Sequence, residues 1–556
     1  MTKYVIGVVI LIAIGLARIA ATYPVFNGAY DEPFHIANGM EWLQQGTFTN
    51  QYRHPPLAGI VTALGPFVHG LRSPRRWKPA EQGESVIFEE GNEILYSKND
   101  YWRSLTLARI GTLPFFVLAC AVTFLWSRRW FCKGFSEAAG FWAVLLLVCT
   151  SPILGHAGLA TNDVACAAGA ALALYQFLRW LERPETARWL WWGFATAFAV
   201  LCKFSNIPFL LACYAIGFAG FVLAKRDEMA GRSLRHRCTQ AAGAACVMLF
   251  LMWATYRFTL IPLGTVYGPH PRIDSILSSR PLLHGLWNTV MAIPLPLTQV
   301  ILGLRDLNRH NAIGIDMYLF GQWSQSGWWY FFPVVLAVKT PIGLLLLAIG
   351  GCALVLRRWR NEHFERSWQQ VLTAVFPIVI LLVCMIARID LGVRHILPIY
   401  PLLAILGGYA ATALCRYSRP AAVVAALLVA WVVVDSWRAH PDYLAHFNEF
   451  AGSHPETILC ESDLDWGQDL HRLSLRLKER GIQEVSIAYF GTALLHKADL
   501  PHYELLSPTQ PSRGYIAVSL HDLNIDYKKN GSFAWLKSYT PVERIGKSID
   551  LFYIAP

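Results

Sequence analysis

Two adjacent carboxylates, Asp31 and Glu32, stand in the segment Ala29-Tyr-Asp-Glu-Pro-Phe-His-Ile-Ala-Asn-Gly-Met-Glu-Trp-Leu43, just after the first long apolar run. Pro33 suits the first turn of a helix with Glu32 as its cap, and Ile36, Met40 and Leu43 fall on one face. The spacing predicts an amphipathic helix lying at the membrane interface with a pair of carboxylates at its start. Two roles fit such a pair. The carboxylates could cap the helix and meet the positive end of its dipole, or one could be a general base that removes a proton from an acceptor hydroxyl. A second group follows at Tyr52-Arg-His-Pro-Pro-Leu57, where the double proline fixes an extended turn and presents Arg53 and His54 beside another apolar stretch. His54 fits an ordinary loop position equally well.

Other ionisable residues sit where apolar runs start or stop: Arg109, Lys203, Lys339, Arg388, Arg394 and His395. Charge at such depth is costly unless paired or wetted, which favours function; the alternative is snorkelling to the headgroups. Asp163, after a helix break at Ser151-Pro152, could pair with these cations, bind a metal or cap the following helix.

The elements that must carry these groups are membrane spans. Of 556 residues, 54% are hydrophobic and only 15% charged, and mean hydropathy is +0.36; such a surface faces lipid. A net charge of +11 would suggest nucleic acid in a soluble protein, but here the basic residues gather in short loops between apolar runs, and no nucleic-acid partner is expected. About eleven spans are expected, near 4–22, 105–126, 137–153, 164–181, 189–203, 207–224, 239–260, 331–356, 370–387, 396–415 and 420–436. The first is expected to be retained, because Ala20-Ala-Thr-Tyr23 makes a poor cleavage site.

Lys and Arg mark alternate loops, at Arg128 and Arg129, Arg179 to Arg188, Lys225 to Arg237, Arg357 to Arg366, and Arg416 and Arg419. By the positive-inside rule these loops and the N-terminus are cytoplasmic, in the plasma (inner) membrane. The segments 23–104, 153–163 and 261–330, and everything after 436, are then extracytoplasmic. The 12 cysteines show no metal-type spacing, and most lie inside apolar runs as small hydrophobes.

From about Trp437 the chain turns polar and carries strand-like runs at 484–490, 514–519 and 548–554, with a helix-like stretch at 469–480 stopped by Gly481. The expected organisation is a membrane part, 1–436, and a small extracytoplasmic α/β domain, 437–556. Asp463, Asp465, Trp466 and Asp469 read best as a helix-start capping motif.

The Asp-Glu pair followed by His-Pro-Pro-Leu resembles the first outer loop of the protein O-mannosyltransferase and aminoarabinose transferase group. These are GT-C fold glycosyltransferases that depend on polyprenyl phosphate. Weaker matches are Leu159-Ala-Thr-Asn-Asp163, Tyr318-Leu-Phe-Gly-Gln322, Trp328-Trp-Tyr-Phe-Phe332, Lys339-Thr-Pro341, Arg394-His-Ile-Leu-Pro-Ile-Tyr-Pro401 and Asp463-Leu-Asp-Trp-Gly-Gln-Asp469. The resemblance implies an all-α polytopic GT-C enzyme with the small α/β tail. It implies inverting transfer of a hexose or pentose, mannose among them, from a polyprenyl phosphate sugar donor to a lipid, glycan or protein acceptor.

On this reading Asp31 is the base and Glu32 its supporting group. Arg109, Lys203, Lys339, Arg394 and His395 would meet the departing phosphate, and His54, Asp163 and Tyr318 would position substrate. No metal ligand set is assigned, and a divalent ion is left open, with His54, His156, His270 and His310 as outer histidines. Two rivals are a transporter or flippase that binds a lipid-linked sugar without breaking it, and a ligase that transfers a whole glycan. Transporters usually show duplicated halves, and this chain shows no repeat.

Overall fold

The computed structural model describes residues 2–74, 85–132, 134–226, 232–267, 271–362 and 364–555. Apolar runs become helices because lipid offers the backbone no hydrogen-bond partner, so each segment must satisfy its own N–H and C=O groups. After α1 (Lys3–Ala20) come three loop helices, α2 (Glu32–Gln44), α3 (Pro56–Val68) and α4 (Ser85–Tyr96). Helices α5 (Tyr101–Ile110) and α6 (Leu113–Trp130) run on as one 30-residue span. Helices α7 (Ser136–Val148) and α8 (Ser151–Ala157) meet at a 66° bend, where Pro152 sits in the first turn of α8. The next spans are α9 (Asp163–Glu182), α10 (Thr186–Cys202), α11 (Asn206–Ala224) and α12 (Arg232–Thr255).

The segment expected as the third outer loop folds into a two-stranded ribbon, β1 (Leu260–Pro262) with β2 (Pro294–Pro296), and four helices. These are α13 (Gly264–Tyr267), α14 (Pro271–Ser278), α15 (Pro281–Ala292) and α16 (Thr298–Ile313). A hairpin follows, β3 (Met317–Leu319) and β4 (Gln322–Ser324), turning on Phe320 and Gly321, both at positive φ as a tight hairpin requires. The expected span 331–356 is broken at Thr340-Pro341 into α17 (Phe331–Lys339) and α18 (Ile342–Glu362). The bundle closes with α19 (Phe364–Ile386), α20 (Tyr400–Tyr417) and α21 (Arg419–Arg438).

Among the described residues nine helices are long and apolar enough to cross a membrane, and a tenth span results if the bent pair α7–α8 counts as one. The fifth expected span is α10, whose 17 residues reach about 26 Å at the α-helical rise, and it falls outside this count, which therefore stops at ten against the eleven expected. Helices α9 and α20 form the buried centre, while α1, α12 and α21 turn Val9, Ile10, Phe250 and Leu427 outward.

Helix α2 corrects one expectation. It begins at Glu32, so Asp31 is the residue before the first turn, and the Asp31 side chain makes no capping hydrogen bond. Nor does α2 turn a polar face outward: every residue from Glu32 to Glu41 is buried, packed between α3 and α4. The fit is close because Gly39 meets Gly59, where an added Cβ would stand 1.8 Å from the Gly59 carbonyl oxygen.

Among its described residues the tail holds three α-helices, α22 (Glu461–Leu464), α23 (Leu470–Glu479) and α24 (Tyr527–Asn530). Its strands are β5 (Glu484–Ala488), β6 (His502–Leu505), β7 (Gly514–Ser519), β8 (Glu543–Ile545) and β9 (Ile549–Ile554). The sheet order is β6-β5-β7-β9-β8, parallel around β5 and antiparallel around β9. Leu470, Leu473 and Leu477 of α23 pack on Val485, Ile487 and Leu551, whereas Leu475 faces out. Gly481, at φ +65°, ends α23 as sequence spacing predicts, letting the Gly481 and Ile482 amides reach back to the carbonyls of Lys478 and Leu477.

Candidate active site

Asp31, Arg53, His54, Lys203, Arg394 and His395 line one cavity of about 160 Å³. Four elements bring them there: the entry to α2, the turn before α3, the α10–α11 turn, and the short 3-10 turn Val393–His395 before α20. A larger groove of about 910 Å³ against Leu16, Tyr23, Trp102 and Ile110 is apolar and contains none of these groups.

Among the described residues Asp31 is the only carboxylate on the cavity wall, and its side chain is 23% exposed. Arg394 Nη1 lies 2.8 Å from Asp31 Oδ2, and Arg394 Nε lies 3.9 Å from Asp163 Oδ1. Asp163 is wholly buried behind the wall, where Lys203 Nζ donates to its Oδ1 at 2.6 Å and Thr161 Oγ1 to its Oδ2 at 3.1 Å. Asp163 is thus the hub that fixes both cations, and it does not cap α9, whose N-cap is Asn162. His54 is held by its backbone N–H to Gln51 Oε1 at 2.8 Å and by Asn162 Nδ2 beside its Nδ1 at 3.1 Å. Arg53 Nε reaches Asp306 Oδ2 of α16 at 3.1 Å, bringing a third cation to the wall.

Burial would lower the pKa of Arg394, but Asp31 and Asp163 outweigh it and raise it, so the guanidinium is permanently charged. Burial, reinforced by the neighbouring cations, holds the imidazoles of His54 and His395 well below their usual range, so both are neutral at pH 7. His35, one helical turn beyond Asp31 and packed edge-on against His54, is lowered to about 4, again chiefly by burial. Among the described residues the wall thus brings the side chains of Arg53, Lys203 and Arg394 together beside the Asp31 carboxyl. This arrangement favours a phosphate-bearing ligand.

Three expected phosphate or substrate contacts lie elsewhere. Arg109 is 1% exposed and fully committed. Its Nε and Nη2 grip both oxygens of Glu32 at 2.8 Å, and its remaining hydrogen bonds go to the carbonyls of Phe26 and Asn27 at 2.9 Å. Glu32 also accepts the amides of Ala29 and Ala160 at 2.8 Å, so it is structural support for the loop and not a second reactive carboxylate. Lys339 donates to the carbonyls of Leu444 at 2.8 Å and Asp463 at 2.7 Å and sits over the Phe447 ring, so it anchors the tail instead of facing the cavity. Tyr318 packs among Ala445, Cys460 and Leu464 in the same seam.

The tail motif is not a cap either. The Asp469 side chain makes no capping hydrogen bond to α23 and instead accepts Lys547 N–H and Ser548 Oγ–H at 2.9 Å. Asp465 accepts the amides of Gly467 and His521, and burial raises its pKa to about 7.

For a divalent ion, the donor set at the cavity does not fit: Asp31 and Asp163 are already paired with cations, and His54 and His310 stand beside Arg53. His156 is buried next to Asp163, and His270 lies outside the described residues. A metal-type grouping among the described residues is His521, Asp522 and Asp526 of the tail. Sequence reasoning gave no role to Arg53 or His35, and it read Trp466 only as part of the tail capping motif. Arg53 adjoins the His-Pro-Pro motif and His35 follows Asp31 at helical spacing, so both were detectable, whereas the place of Trp466 depends on long-range contacts.

Residues 108–255 match the family described as dolichyl-phosphate-mannose-protein mannosyltransferase. No curated protein matches the chain by sequence. Among solved structures the chain is similar to the apo oligosaccharyltransferase of Archaeoglobus fulgidus, with 12% identity, 97% of this chain and 73% of that chain covered, and a TM-score of 0.51. It is also similar to AglB from Archaeoglobus fulgidus in complex with an inhibitory peptide and a dolichol-phosphate, at 11% identity, 97% and 72% coverage, and a TM-score of 0.50. ArnT from Cupriavidus metallidurans bound to undecaprenyl phosphate matches at 14% identity over 98% and 97% of the two chains, with a TM-score of 0.49. With nine membrane-length helices among its described residues and matches to the two Archaeoglobus fulgidus structures over 97% of its length, the chain has the GT-C fold.

Proposed function

We propose that this protein is a membrane glycosyltransferase that moves a sugar from a polyprenyl phosphate carrier to an acceptor hydroxyl, with inversion at the anomeric carbon. The observation that carries this reading is Asp31 on the wall of a small cavity, 2.8 Å from Arg394 and sharing that wall with Lys203. The acceptor oxygen attacks the anomeric carbon on the face opposite the phosphate, and its proton passes to the Asp31 carboxylate. The carbon–oxygen bond to the phosphate breaks with its electron pair, and Lys203 and Arg394 meet the charge that appears on the leaving group. Neutral His54 and His395 offer hydrogen bonds without adding charge.

The matched family is named for a lipid-phosphate mannose donor, and a structure of the same fold holds dolichol-phosphate; both support the carrier class. The sugar is a hexose or pentose, and the acceptor a lipid, glycan or protein hydroxyl. Alternation of basic loops supports a cytoplasmic N-terminus and an extracytoplasmic tail in the plasma membrane, with 1–436 as the membrane part and 437–556 as the outer domain. Incubating purified protein with radiolabelled polyprenyl-phosphate sugars tests the reading: free carrier is released, and Asp31→Asn stops release without loss of folded protein. Full release by that variant would refute Asp31 as base.

A further inference from the structure

We propose that the tail is the jig that sets the candidate base against its guanidinium partner, with Trp466 and Thr492 as positioning residues; this rests on the reaction proposed above. Asp31 and Arg394 come from opposite parts of the chain, and neither is placed by its own helix. Asp31 precedes α2 without capping it, and Arg394 lies in a three-residue 3-10 turn. Both are fastened to one stretch of tail.

On the Asp31 side, both backbone polar groups of the preceding residue, Tyr30, are taken by the tail. Tyr30 N–H donates to the Trp466 carbonyl at 3.0 Å, and the Tyr30 carbonyl accepts Thr492 Oγ–H at 2.8 Å. The Tyr30 ring stacks on Phe490 with centroids 5.1 Å apart, and Asn27 Nδ2 donates to the Gly467 carbonyl at 2.8 Å. On the Arg394 side, Val393 N–H donates to Asp463 Oδ1 at 3.0 Å and Ser462 Oγ–H to the Leu391 carbonyl at 3.2 Å. Gly392, at φ +70°, lets the Asp463 carboxylate come so near that an added Cβ would be 2.4 Å from Oδ2. The Arg394 guanidinium lies over the Trp466 indole, 4.6 Å from the ring centroid. Residues 462–467 therefore touch Tyr30, next to Asp31, and Arg394 itself, with the Trp466 carbonyl holding the base side and its ring the cation side.

The jig makes a prediction that a lid or an acceptor-binding module does not. Thr492→Val keeps the size of the side chain and removes the hydroxyl that fixes Tyr30, so Asp31 drifts from Arg394 while the cavity keeps its cations. Full-length protein in lipid nanodiscs would be assayed in two ways. The first, which needs no turnover, is labelling of Asp31 by a water-soluble carbodiimide and an amine, followed by peptide mass spectrometry. The second is kcat and KM for the polyprenyl-phosphate sugar used by the wild type.

Thr492→Val and Trp466→Leu should speed Asp31 labelling at least about threefold and lower kcat about tenfold. For Thr492→Val, donor KM should stay within about twofold and the thermal midpoint should be unchanged, because Lys203, Arg394 and Asp163 keep their own contacts. Thr492→Ser and Trp466→Phe should restore both readouts. Unchanged labelling in both disruptive variants, or a kcat loss that tracks loss of folded protein and is not rescued by serine, would overturn the jig. Faster labelling in a protein whose wild type transfers no sugar would overturn the reaction and leave the jig standing.

Discussion

Asp31 and Glu32 are neighbours in the chain with opposite surroundings, and the contrast separates holding a fold from doing chemistry. Both oxygens of Glu32 are used twice over, by the guanidinium of Arg109 and by two backbone amides, and no part of its side chain is exposed. Asp31 has one guanidinium on one oxygen and an edge open to the cavity. The cations divide in the same way. Arg109 spends its donors on Glu32 and backbone carbonyls and Lys339 on backbone carbonyls, whereas Lys203 and Arg394 are pinned from behind by Asp163 and face the cavity. A buried charge with every partner supplied by the protein is structural; one with a free side is available to a ligand.

The largest expected effect falls on the open member. Asp31→Asn should lower transfer about 10²- to 10⁴-fold, read as carrier release per folded molecule, with thermal unfolding in detergent unchanged. Its neighbour should fail differently. Glu32→Ala leaves the Arg109 charge buried without its partner and should cost about 3–5 kcal/mol of stability, seen as a lower unfolding midpoint. If Glu32→Ala stayed as stable as the wild type yet lost transfer, the division between the two carboxylates would be wrong.

The lysines test the same line at smaller scale. Lys203→Met should raise donor KM about tenfold, while Lys339→Met should loosen the tail and leave donor KM near the wild-type value.

The smallest effect is one of pH. His54 is neutral in the folded protein because burial lowers its pKa well below 6.5. As pH falls through 6.5, the unfolded chain takes up a proton that the folded chain refuses, so stability present above pH 6.5 is lost progressively below it. His54→Gln should flatten the fall of the unfolding midpoint between pH 7 and 5, and an unchanged slope would mean that the imidazole is not held neutral.

Much of this was legible in the sequence, and the failures share a cause. Span positions could be read because lipid forces each apolar run to satisfy its own backbone, a local requirement. Asp31, Lys203, Arg394, His395, His54 and Asp163 were picked from their positions at span ends and motifs, and the fold gathers them at one place. Arg109 and Lys339 have the same sequence signature as the cavity cations, and only their tertiary partners, Glu32 and the carbonyls of Leu444 and Asp463, tell them apart. The burial of α2 escaped prediction because its polar face is covered by α3 and α4. The tail motif looked like a cap because its aspartates precede α23, yet they bind strand and loop backbone far from that helix.

The double hold on Tyr30 joins groups that lie 462 residues apart along the chain at Thr492, with the Trp466 carbonyl beside it. Contacts so distant along the chain form slowly, so this seam is expected to close late in folding, after the helices on either side of it.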